Sequence, residues 1–183
     1  MNVMTTLIGG VTVVETTRAN DERGSFTRFF CESELTPVLG KRRIVQINHS
    51  RTSSVGAVRG MHYQNSPHAE IKMIRCLKGC VWDVAVDLRQ DSPTFLHWYA
   101  QELTPDNALM MVIPEGCAHG FQVMEAESEL LYLHTEPYTP GAEGGVLHDD
   151  PAIRIDWPLA VTDLSERDQQ HPSITKEFQG LVL

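Results

Sequence analysis

Short runs of β-branched or alternating apolar residues, separated by turn residues, recur through most of the chain. This pattern is typical of a protein built from many short strands. Turn sequences such as Lys78-Gly79 and Pro114-Glu115-Gly116 lie between the runs,. An antiparallel sandwich or barrel is the economical architecture. We predict strands at Val11 to Val14, Ser25 to Cys31, Arg43 to His49, Lys72 to Leu77, Val81 to Leu88, His97 to Leu103, Leu109 to Ile113, Gly120 to Met124 and Glu129 to His134.

Helical signals are confined to two short stretches. One helix is predicted over Glu32 to Leu39. The other follows Asp163, where either Asp163 or Ser165 could cap the segment Leu164 to Asp168,. The pattern therefore predicts an all-β fold with short flanking helices.

The strand predicted from Val81 to Leu88 has two different faces. Alternation places Trp82, Val84, Val86 and Leu88 together, and this apolar face belongs to the core,. The other face carries Val81, Asp83, Ala85 and Asp87. Its mixture of carboxylates and small apolar groups fits a strand that lines a polar cavity. A solvated outer face fits this strand equally well.

Length and composition indicate an ordinary globular protein. A chain of 183 residues can form one sizeable core and is short for two, so we expect one domain over residues 1–183,. The residues are 42% hydrophobic and 21% charged, and no apolar run approaches the length of a membrane span,. The segment Met1 to Thr6 lacks the features of a secretion signal, and we therefore expect a cytoplasmic protein,.

The cysteines and the net charge exclude some further classes. Four cysteines without a Cys-x-x-Cys pair predict reduced, mostly buried thiols, with a catalytic thiol as the less favoured reading; they are Cys31, Cys76, Cys80 and Cys117,. The formal net charge of −9 would repel nucleic acids and anionic membranes, and we expect neither as a partner,. Positive contacts to an anionic substrate must then be local.

Candidate chemistry concentrates in the hexapeptide Arg59-Gly60-Met61-His62-Tyr63-Gln64 and in Lys72, which follows shortly after it. The flanks of this segment are predicted strands, so its polar groups are expected to point into a shared cavity. An arginine, a lysine and a histidine in one cavity would suit an anionic substrate and a proton transfer.

A metal site is one reading of these residues. Barrels of this kind often hold a metal through His-x-His on one strand, a nearby carboxylate and a later histidine. His62, Glu70 and His119 could fill three of these places, but Gln64 stands where the second histidine would be. A site without a metal is therefore favoured.

A metal-free site needs a base, a cation and an acid. His62 can be the base, because imidazole titrates near neutral pH, and a carboxylate from Asp83 or Asp168 could orient it. Lys72 could stabilise a carbonyl oxygen as it becomes an enolate. Tyr132 could donate or accept a proton from the opposite side of the cavity.

Several motifs occur together in one order along the chain. They are Asp21-Glu22-Arg23-Gly24-Ser25-Phe26, Gln46-Ile47-Asn48-His49-Ser50, the hexapeptide, Asp83 to Arg89, Ser92-Pro93-Thr94, Ile113 to Phe121, Asp150-Pro151 and Trp157-Pro158. This order resembles the dTDP-4-dehydrorhamnose 3,5-epimerase family, a metal-free branch of the cupins. The resemblance covers residues from about Ile8 to Asp168.

The resemblance implies a cupin-type double-stranded β-helix, or jelly roll, that forms a homodimer in which an N-terminal segment crosses to the partner. It implies epimerisation of a nucleotide-linked 4-keto-6-deoxyhexose in dTDP-rhamnose biosynthesis, a route to lipopolysaccharide, with no cofactor and no metal. His62 would be the base, oriented by Asp168 or Asp83. Lys72 would support the oxyanion, and Tyr132 would deliver a proton to the other face.

Binding roles also follow from the resemblance. Arg59 would hold the diphosphate, where bidentate geometry favours arginine. Arg23 and Phe26 would reach the nucleotide in the partner's site, and Arg167 matches a basic position before the last aspartate. The remaining substrate-binding positions are Arg28, Gln46, Asn48, His49, His119, Tyr138 and Glu143.

The chain also departs from the family pattern. Arg28 stands where an acidic residue that touches the nucleotide base is usual, and Glu70 replaces a glutamine. Thymidine is the favoured nucleotide, with a GDP-linked sugar as the alternative, and inversion at one carbon or at two stays open. A metal-dependent cupin enzyme and a non-catalytic sugar-nucleotide binding module are the competing function classes.

Overall fold

The structure is a computed structural model that describes residues 1–183, and most of its regular elements are strands. The strands are β1 (Asn2–Thr5), β2 (Thr12–Glu15), β3 (Arg18–Asp21), β4 (Gly24–Thr27), β5 (Gln46–Thr52), β6 (Val58–Gln64), β7 (Lys72–Lys78), β8 (Val81–Asp87), β9 (Trp98–Leu103), β10 (Leu109–Ile113), β11 (Cys117–Val123), β12 (Ser128–His134) and β13 (Glu143–Gly145). The helices are α1 (Glu32–Leu39) and α2 (Glu166–Gln169), with a 3₁₀ turn at Pro140–Ala142.

Two antiparallel sheets face each other. The six-stranded sheet has the order β1-β2-β10-β7-β12-β5, and the five-stranded sheet has the order β13-β6-β11-β8-β9. From β5 to β8 and again from β9 to β12, each successive strand lies in the opposite sheet. This alternation is the winding of a jelly roll. The predicted all-β jelly roll with short flanking helices is confirmed.

The space between the sheets is apolar at one end. Side chains from both sheets interlock there in a cluster of 14 buried residues, which includes Ile74, Leu103, Met111, Phe121 and Leu130. Because strand residues alternate, the same strands carry polar inward-facing residues toward the other end of the barrel. The apolar end fixes the sheets in place, and the polar end is free to form a cavity.

Two non-sheet segments cover the outer faces. Helix α1 packs Leu35 and Leu39 against the six-stranded sheet. The chain after β13 covers the five-stranded sheet, where Ile153 and Ile155 pack against Val84 in a separate buried cluster. The central strands β7, β8 and β11 are thus largely buried on both faces, whereas the edge strands β1 and β5 are largely exposed.

Strand β8 resolves the two readings of its mixed face. Asp83, Ala85 and Asp87 are fully buried, so the solvated outer face is wrong and the inward-facing reading is right. The opposite face of β8 is also buried, because the C-terminal chain covers it. Hydrophobic alternation alone could not tell burial by the second sheet from burial by a covering segment.

Most predicted elements are present, with some shifted ends. Helix α1 has the predicted bounds, and α2 begins after Ser165, whose hydroxyl accepts from the Asp168 amide at 3.1 Å. Strands β1, β3, β6 and β13 were not predicted. Their sequences are short, polar or rich in glycine, and tertiary pairing holds them in the sheets despite low intrinsic preference.

Strands β3 and β4 form a hairpin outside the two main sheets. The predicted strand from Ser25 to Cys31 is too long at its end, since β4 stops at Thr27. Phe26 in this hairpin is 73% exposed, an unusual state for a large aromatic side chain,. The hairpin therefore presents an uncovered apolar group to its surroundings.

All four cysteines are free, and burial raises the pKa of Cys76 and of Cys117 to about 12. A thiolate nucleophile is disfavoured at both positions because burial penalises the charged form. No helix of the structure has the length and apolar character that a membrane crossing requires.

Asp87 anchors the loop that follows β8. One carboxylate oxygen accepts from Arg89 Nε at 2.8 Å, and the other accepts from the hydroxyls of Ser92 and Thr94 at 2.6 Å each. Burial alone would raise the pKa of Asp87, but the hydrogen bonds from Arg89, Ser92 and Thr94 lower it to about 2. The charged form is therefore the stabilising one.

We expect Asp87→Asn to lower the free energy of unfolding by about 3 kcal/mol, because the amide leaves buried donors unsatisfied. Urea denaturation measures the change. The exposed Asp91→Asn is the control and should stay within about 0.5 kcal/mol of the wild type. The Asp87 contribution should fade as the pH falls from 3.8 toward about 2,. Equal stability of the two variants near neutral pH would contradict this role.

Candidate active site

A cavity of about 580 Å³ opens at the polar end of the barrel, between the two sheets. Strands β5, β6, β7, β11 and β12 supply most of its walls. The lining residues are Gln46, Ile47, Asn48, His49, Ser50, Arg59, His62, Tyr63, Gln64, Glu70, Lys72, His119, Phe121, Tyr132, His134, Tyr138, Glu143 and Arg167. Its volume suits a small organic ligand.

The candidate groups come from opposite walls. His62 on β6 and His119 on β11 are cross-strand partners in the five-stranded sheet. Tyr132 on β12 belongs to the six-stranded sheet, as does Lys72 on β7. A flat ligand between the sheets would therefore have His62 and His119 on one side and the Tyr132 phenol on the other.

His62 is held by a buried carboxylate. Its Nε2 lies 2.9 Å from Asp168 Oδ1, while Asp168 Oδ2 accepts from the Gly60 amide at 3.2 Å. Burial alone would raise the pKa of Asp168, but the hydrogen bond and charge of His62, with Gly60 and Ser165, hold it well below its usual range. Asp168 is therefore an ionised partner that fixes the orientation of the imidazole.

Gly60 permits this arrangement at the bend of β6. Its φ is 138°, a conformation that L side chains rarely adopt, and a Cβ there would lie 2.5 Å from Gly120 Cα,. The absence of a side chain lets β6 approach β11 closely at this residue, and the Gly60 amide donates to Asp168. A glycine two residues before His62 thus has a direct role in placing it.

Asp83 has a different partner from the one that the sequence allowed. Its Oδ1 lies 2.7 Å from His119 Nε2, so the proposed orientation of His62 by Asp83 is wrong in this structure. Burial raises the pKa of Asp83, and the charge and hydrogen bond of His119 oppose the rise. Two histidine–carboxylate pairs therefore stand side by side on one wall.

Tyr132 is suited to carry a proton. Burial raises its pKa well above that of a free phenol, a rise that the hydrogen bond to Ser50 at 3.2 Å opposes. The ring of His119 meets that of Tyr132 edge-on at 6.0 Å between centroids. The phenol is neutral at physiological pH and can act as a proton donor.

Lys72 projects between the walls. Its Nζ donates to the His62 carbonyl at 3.2 Å and lies 3.4 Å from Glu70 Oε1. Its side chain is mostly buried, with 12% exposed. A fixed ammonium in a cavity of low dielectric stabilises a developing negative charge more strongly than one in water.

Two arginines add positive charge at the cavity. Arg59 Nε donates to Thr52 Oγ1 at 2.9 Å. Arg167 Nη1 donates to Glu143 at 3.1 Å, and its Nη2 lies 3.2 Å from His62 Nε2. The protein carries net negative charge, but these groups make the cavity a local site for an anion.

The other predicted binding residues divide into two groups. Gln46, Asn48, His49, His119, Tyr138 and Glu143 all line the cavity. Arg23, Phe26 and Arg28 are not brought to the cavity of their own chain. Arg23 pairs with Asp21 at 2.6 Å in the exposed hairpin, and Arg28 pairs with Glu34 of α1 at 2.6 Å.

Sequence reasoning missed several lining residues. Those given no role in the site are Ile47, Ser50, Tyr63, Phe121 and His134. His134 is two residues after Tyr132 on β12 and must point the same way, so strand alternation could have identified it. Ser50 follows Asn48 at the same spacing on β5. The alternation that groups these residues is visible in the sequence, but it identifies cavity residues only when the inward face of each strand is known.

Three groups could hold a metal ion, although they are not the set that the sequence suggested. His62, Asp168 and His171 offer ligand atoms within 4.8 Å of one another. The guanidinium of Arg167 also contacts His62 and Asp168, and an ion would have to displace it. Of the earlier candidates, His119 is paired with Asp83 and Glu70 with His134.

The arrangement can move protons on both faces of a bound ligand. An imidazole with an ionised partner stands on one wall, and a neutral phenol stands on the other. A lysine ammonium between them can stabilise an oxyanion. These groups suit the removal of a proton next to a carbonyl group and its return from the opposite side.

Comparisons with known proteins agree with this geometry. A family model described as dTDP-4-dehydrorhamnose 3,5-epimerase matches residues 5–176. A curated dTDP-4-dehydrorhamnose 3,5-epimerase of Shigella flexneri is 41% identical over 169 residues, which are 92% of this chain and 93% of that protein.

Two solved structures are also similar. One is a dTDP-6-deoxy-D-glucose-3,5-epimerase of Legionella pneumophila in complex with dTDP-4-keto-L-rhamnose, with a TM-score of 0.91, 36% identity, and coverage of 100% of this chain and 98% of that chain. The other is a 3′-monoepimerase of Streptomyces bikiniensis in complex with dTDP-quinovose. It has a TM-score of 0.87 and 28% identity, and covers 93% of this chain and 86% of that chain.

Proposed function

The chain belongs to the dTDP-4-dehydrorhamnose 3,5-epimerase family, and we propose that its cavity epimerises a dTDP-linked 4-keto-6-deoxyhexose through an enolate. It is an isomerase that acts on a carbohydrate. The observation that carries the mechanism is the position of His62 and Tyr132 on opposite sheets. Inversion requires a proton to leave from one face of the sugar and to return on the other.

His62 is the proposed base. A C–H bond next to a ketone is acidic because its conjugate base is an enolate, and a base within reach of that hydrogen is sufficient to start the reaction. Asp168 accepts at Nε2 of the imidazole and fixes the ring, while Nδ1 has no protein hydrogen-bond partner. The base thus has one anchored nitrogen and one available nitrogen.

Lys72 and Tyr132 complete the proposed mechanism. The ammonium of Lys72 stabilises the negative charge that develops on the ketone oxygen. Tyr132 then donates its proton to the carbon from the six-stranded sheet, which gives the inverted centre. Its raised pKa keeps the phenol protonated until the enolate forms,.

Arg59 and Arg167 are the proposed ligands of the diphosphate. Both line the cavity, and a guanidinium can donate two parallel hydrogen bonds to phosphate oxygens,. We favour inversion at both C3 and C5, because identity to the 3,5-epimerases of Shigella flexneri and Legionella pneumophila exceeds that to the monoepimerase. A GDP-linked sugar and a single inverted centre are the alternatives.

We further propose that the protein is a single domain that forms a homodimer. The hairpin of β3 and β4 leaves Phe26 exposed and Arg23 engaged with Asp21 alone. In a dimer this hairpin would extend over the partner's cavity and add Arg23 and Phe26 to the nucleotide site. Arg28, tied to Glu34, would support the hairpin base.

The proposed compartment is the cytoplasm, since four free cysteines suit a reducing environment,. The net charge of −9 disfavours nucleic acid and anionic membrane as partners,. The proposed mechanism uses side chains alone, with no metal and no cofactor.

The first test is exchange of substrate hydrogens in heavy water. The wild type should incorporate deuterium next to the ketone of dTDP-4-keto-6-deoxyglucose, observed by NMR. His62→Asn should lower the rate about 10³-fold, because an amide cannot act as the base. His97→Asn, with an exposed histidine outside the cavity, is the control. Binding without exchange by the wild type would instead indicate a binding module.

Tyr132→Phe should separate exchange from inversion. Without the phenol, the enolate is protonated again by His62 on the original face. Deuterium should therefore still enter the recovered substrate, while formation of the inverted product falls about 10²-fold. Tyr99→Phe, a tyrosine that packs in the apolar core and bonds Gln101, serves as the control. Unchanged inversion in Tyr132→Phe would exclude the phenol as the donor.

Mixing two inactive variants tests the shared site. A mixed dimer contains one His62→Asn subunit and one Phe26→Asp subunit. One of its two sites then combines the intact His62 of the second subunit with the intact Phe26 of the first. Random exchange should then restore about a quarter of the wild-type activity. Each variant alone should remain nearly inactive. Failure to recover activity in dimers shown to be mixed by mass spectrometry would place Phe26 outside the partner's site.

A further inference from the structure

The cavity is also lined by the buried carboxylate of Glu70, which the proposed proton transfers do not use. Glu70 stands two residues before Lys72 and is 8% exposed, and His134 at the end of β12 is also 8% exposed. Lys72 and His134 are cross-strand partners in the register of β7 and β12. Sheet geometry therefore brings an acid, a base and an ammonium to one point of the wall.

Glu70 contacts both neighbours at once. Its Oε2 lies 2.7 Å from His134 Nδ1, and its Oε1 lies 3.4 Å from Lys72 Nζ. A buried carboxylate is costly unless both oxygens are compensated, and here each oxygen faces a different donor. The carboxylate thus ties Lys72 and His134 to a common position.

The contact to Glu70 determines how His134 uses its other nitrogen. The Glu70 carboxylate accepts from Nδ1 of His134, so this nitrogen carries the ring hydrogen,. The other nitrogen, Nε2, lies 3.3 Å from Asn48 Nδ2, which can only donate, so Nε2 is the acceptor,. The Asn48 amide donates to His134, which leaves its carbonyl oxygen without a protein partner. Asn48 lines the cavity and can use that oxygen to accept from a ligand hydroxyl.

We propose that Glu70 is a positioning residue that fixes the ammonium of Lys72 and, through His134, the amide orientation of Asn48. We call the connected side chains of Lys72, Glu70, His134 and Asn48 the relay. The inference rests on the proposed function, because it assigns Lys72 to the ketone oxygen and Asn48 to a sugar hydroxyl. The relay explains why a titratable pair is buried beside the lysine. Glu70 itself does not touch the reacting atoms.

Glu70→Gln is the variant that tests the relay with least change in shape. A glutamine amide accepts at one end and donates at the other, so it cannot accept from both Lys72 and His134. We expect kcat to fall about 10-fold and KM to change less than about 2-fold, since the loss concerns orientation in the transition state. Glu127→Gln, which changes a partly exposed carboxylate paired with Arg51 outside the cavity, is the matched control and should keep wild-type kinetics.

A measurement on the free wild-type protein tests the inference independently of activity. Nitrogen-15 NMR of histidine side chains should show His134 with hydrogen on Nδ1 in mildly alkaline buffer. The Glu70→Gln substitution should shift the tautomer population of His134 toward the form with hydrogen on Nε2. Hydrogen on Nε2 in the wild type, or unchanged kcat in a folded Glu70→Gln protein, would overturn the relay. Absence of exchange in the wild type would instead refute the proposed function, while the NMR result would still decide the relay.

Discussion

The hydrogen bond between His62 and Asp168 is the interaction on which the site depends. It joins β6, in the wall of the cavity, to the C-terminal helix more than 100 residues later in the chain. A buried carboxylate needs partners, and that of Asp168 has them in the imidazole of His62 and the amide of Gly60,. The same C-terminal chain covers the outer face of the five-stranded sheet. Covering the core and orienting the base are therefore consequences of one chain path.

The jelly roll suits chemistry on two faces of a ligand. Its strands alternate between sheets, so residues distant in sequence face each other across a narrow interior. One end of that interior is filled by apolar side chains and holds the sheets at a fixed separation. At the other end, the same separation sets the distance between the wall that carries His62 and His119 and the wall that carries Tyr132 and Lys72. Packing at one end thus preorganises the site at the other.

Three buried carboxylates in this barrel are each paired with a histidine, and each pair has a distinct place. Asp168 binds His62, Asp83 binds His119, and Glu70 binds His134. The histidines lie on three different strands, β6, β11 and β12, and each receives its carboxylate from another segment. Each pairing offsets part of the cost of burying its carboxylate, although Asp83 Oδ2 has no hydrogen-bond partner,. The same contacts restrict the imidazole orientations.

Local patterns identified much of this organisation. The inward face of β8 carries alternating carboxylates, and α1 and β7 lie where the sequence predicts a helix and a strand. His62, Lys72 and Tyr132 were candidates because their chemical types suit proton transfer. Strand β6 was missed, since its pairing depends on Gly60 and Gly120 approaching each other rather than on β propensity,. His134 was missed because its inward direction is defined only once Tyr132 is known to face the cavity.

Alternating apolar residues and frequent turn signals are enough to specify an all-β fold, and the residue types supply its acids, bases and cations. Which acid pairs with which base depends on how the strands and the C-terminal chain pack. Asp83 and Asp168 are the same residue type, and no local pattern says which histidine each will meet. Hydrogen bonds depend on distances of about 3 Å between chain segments, and those distances follow from sheet register and from the path of the C-terminal chain. Periodicity encodes which way a side chain faces, but not what it faces.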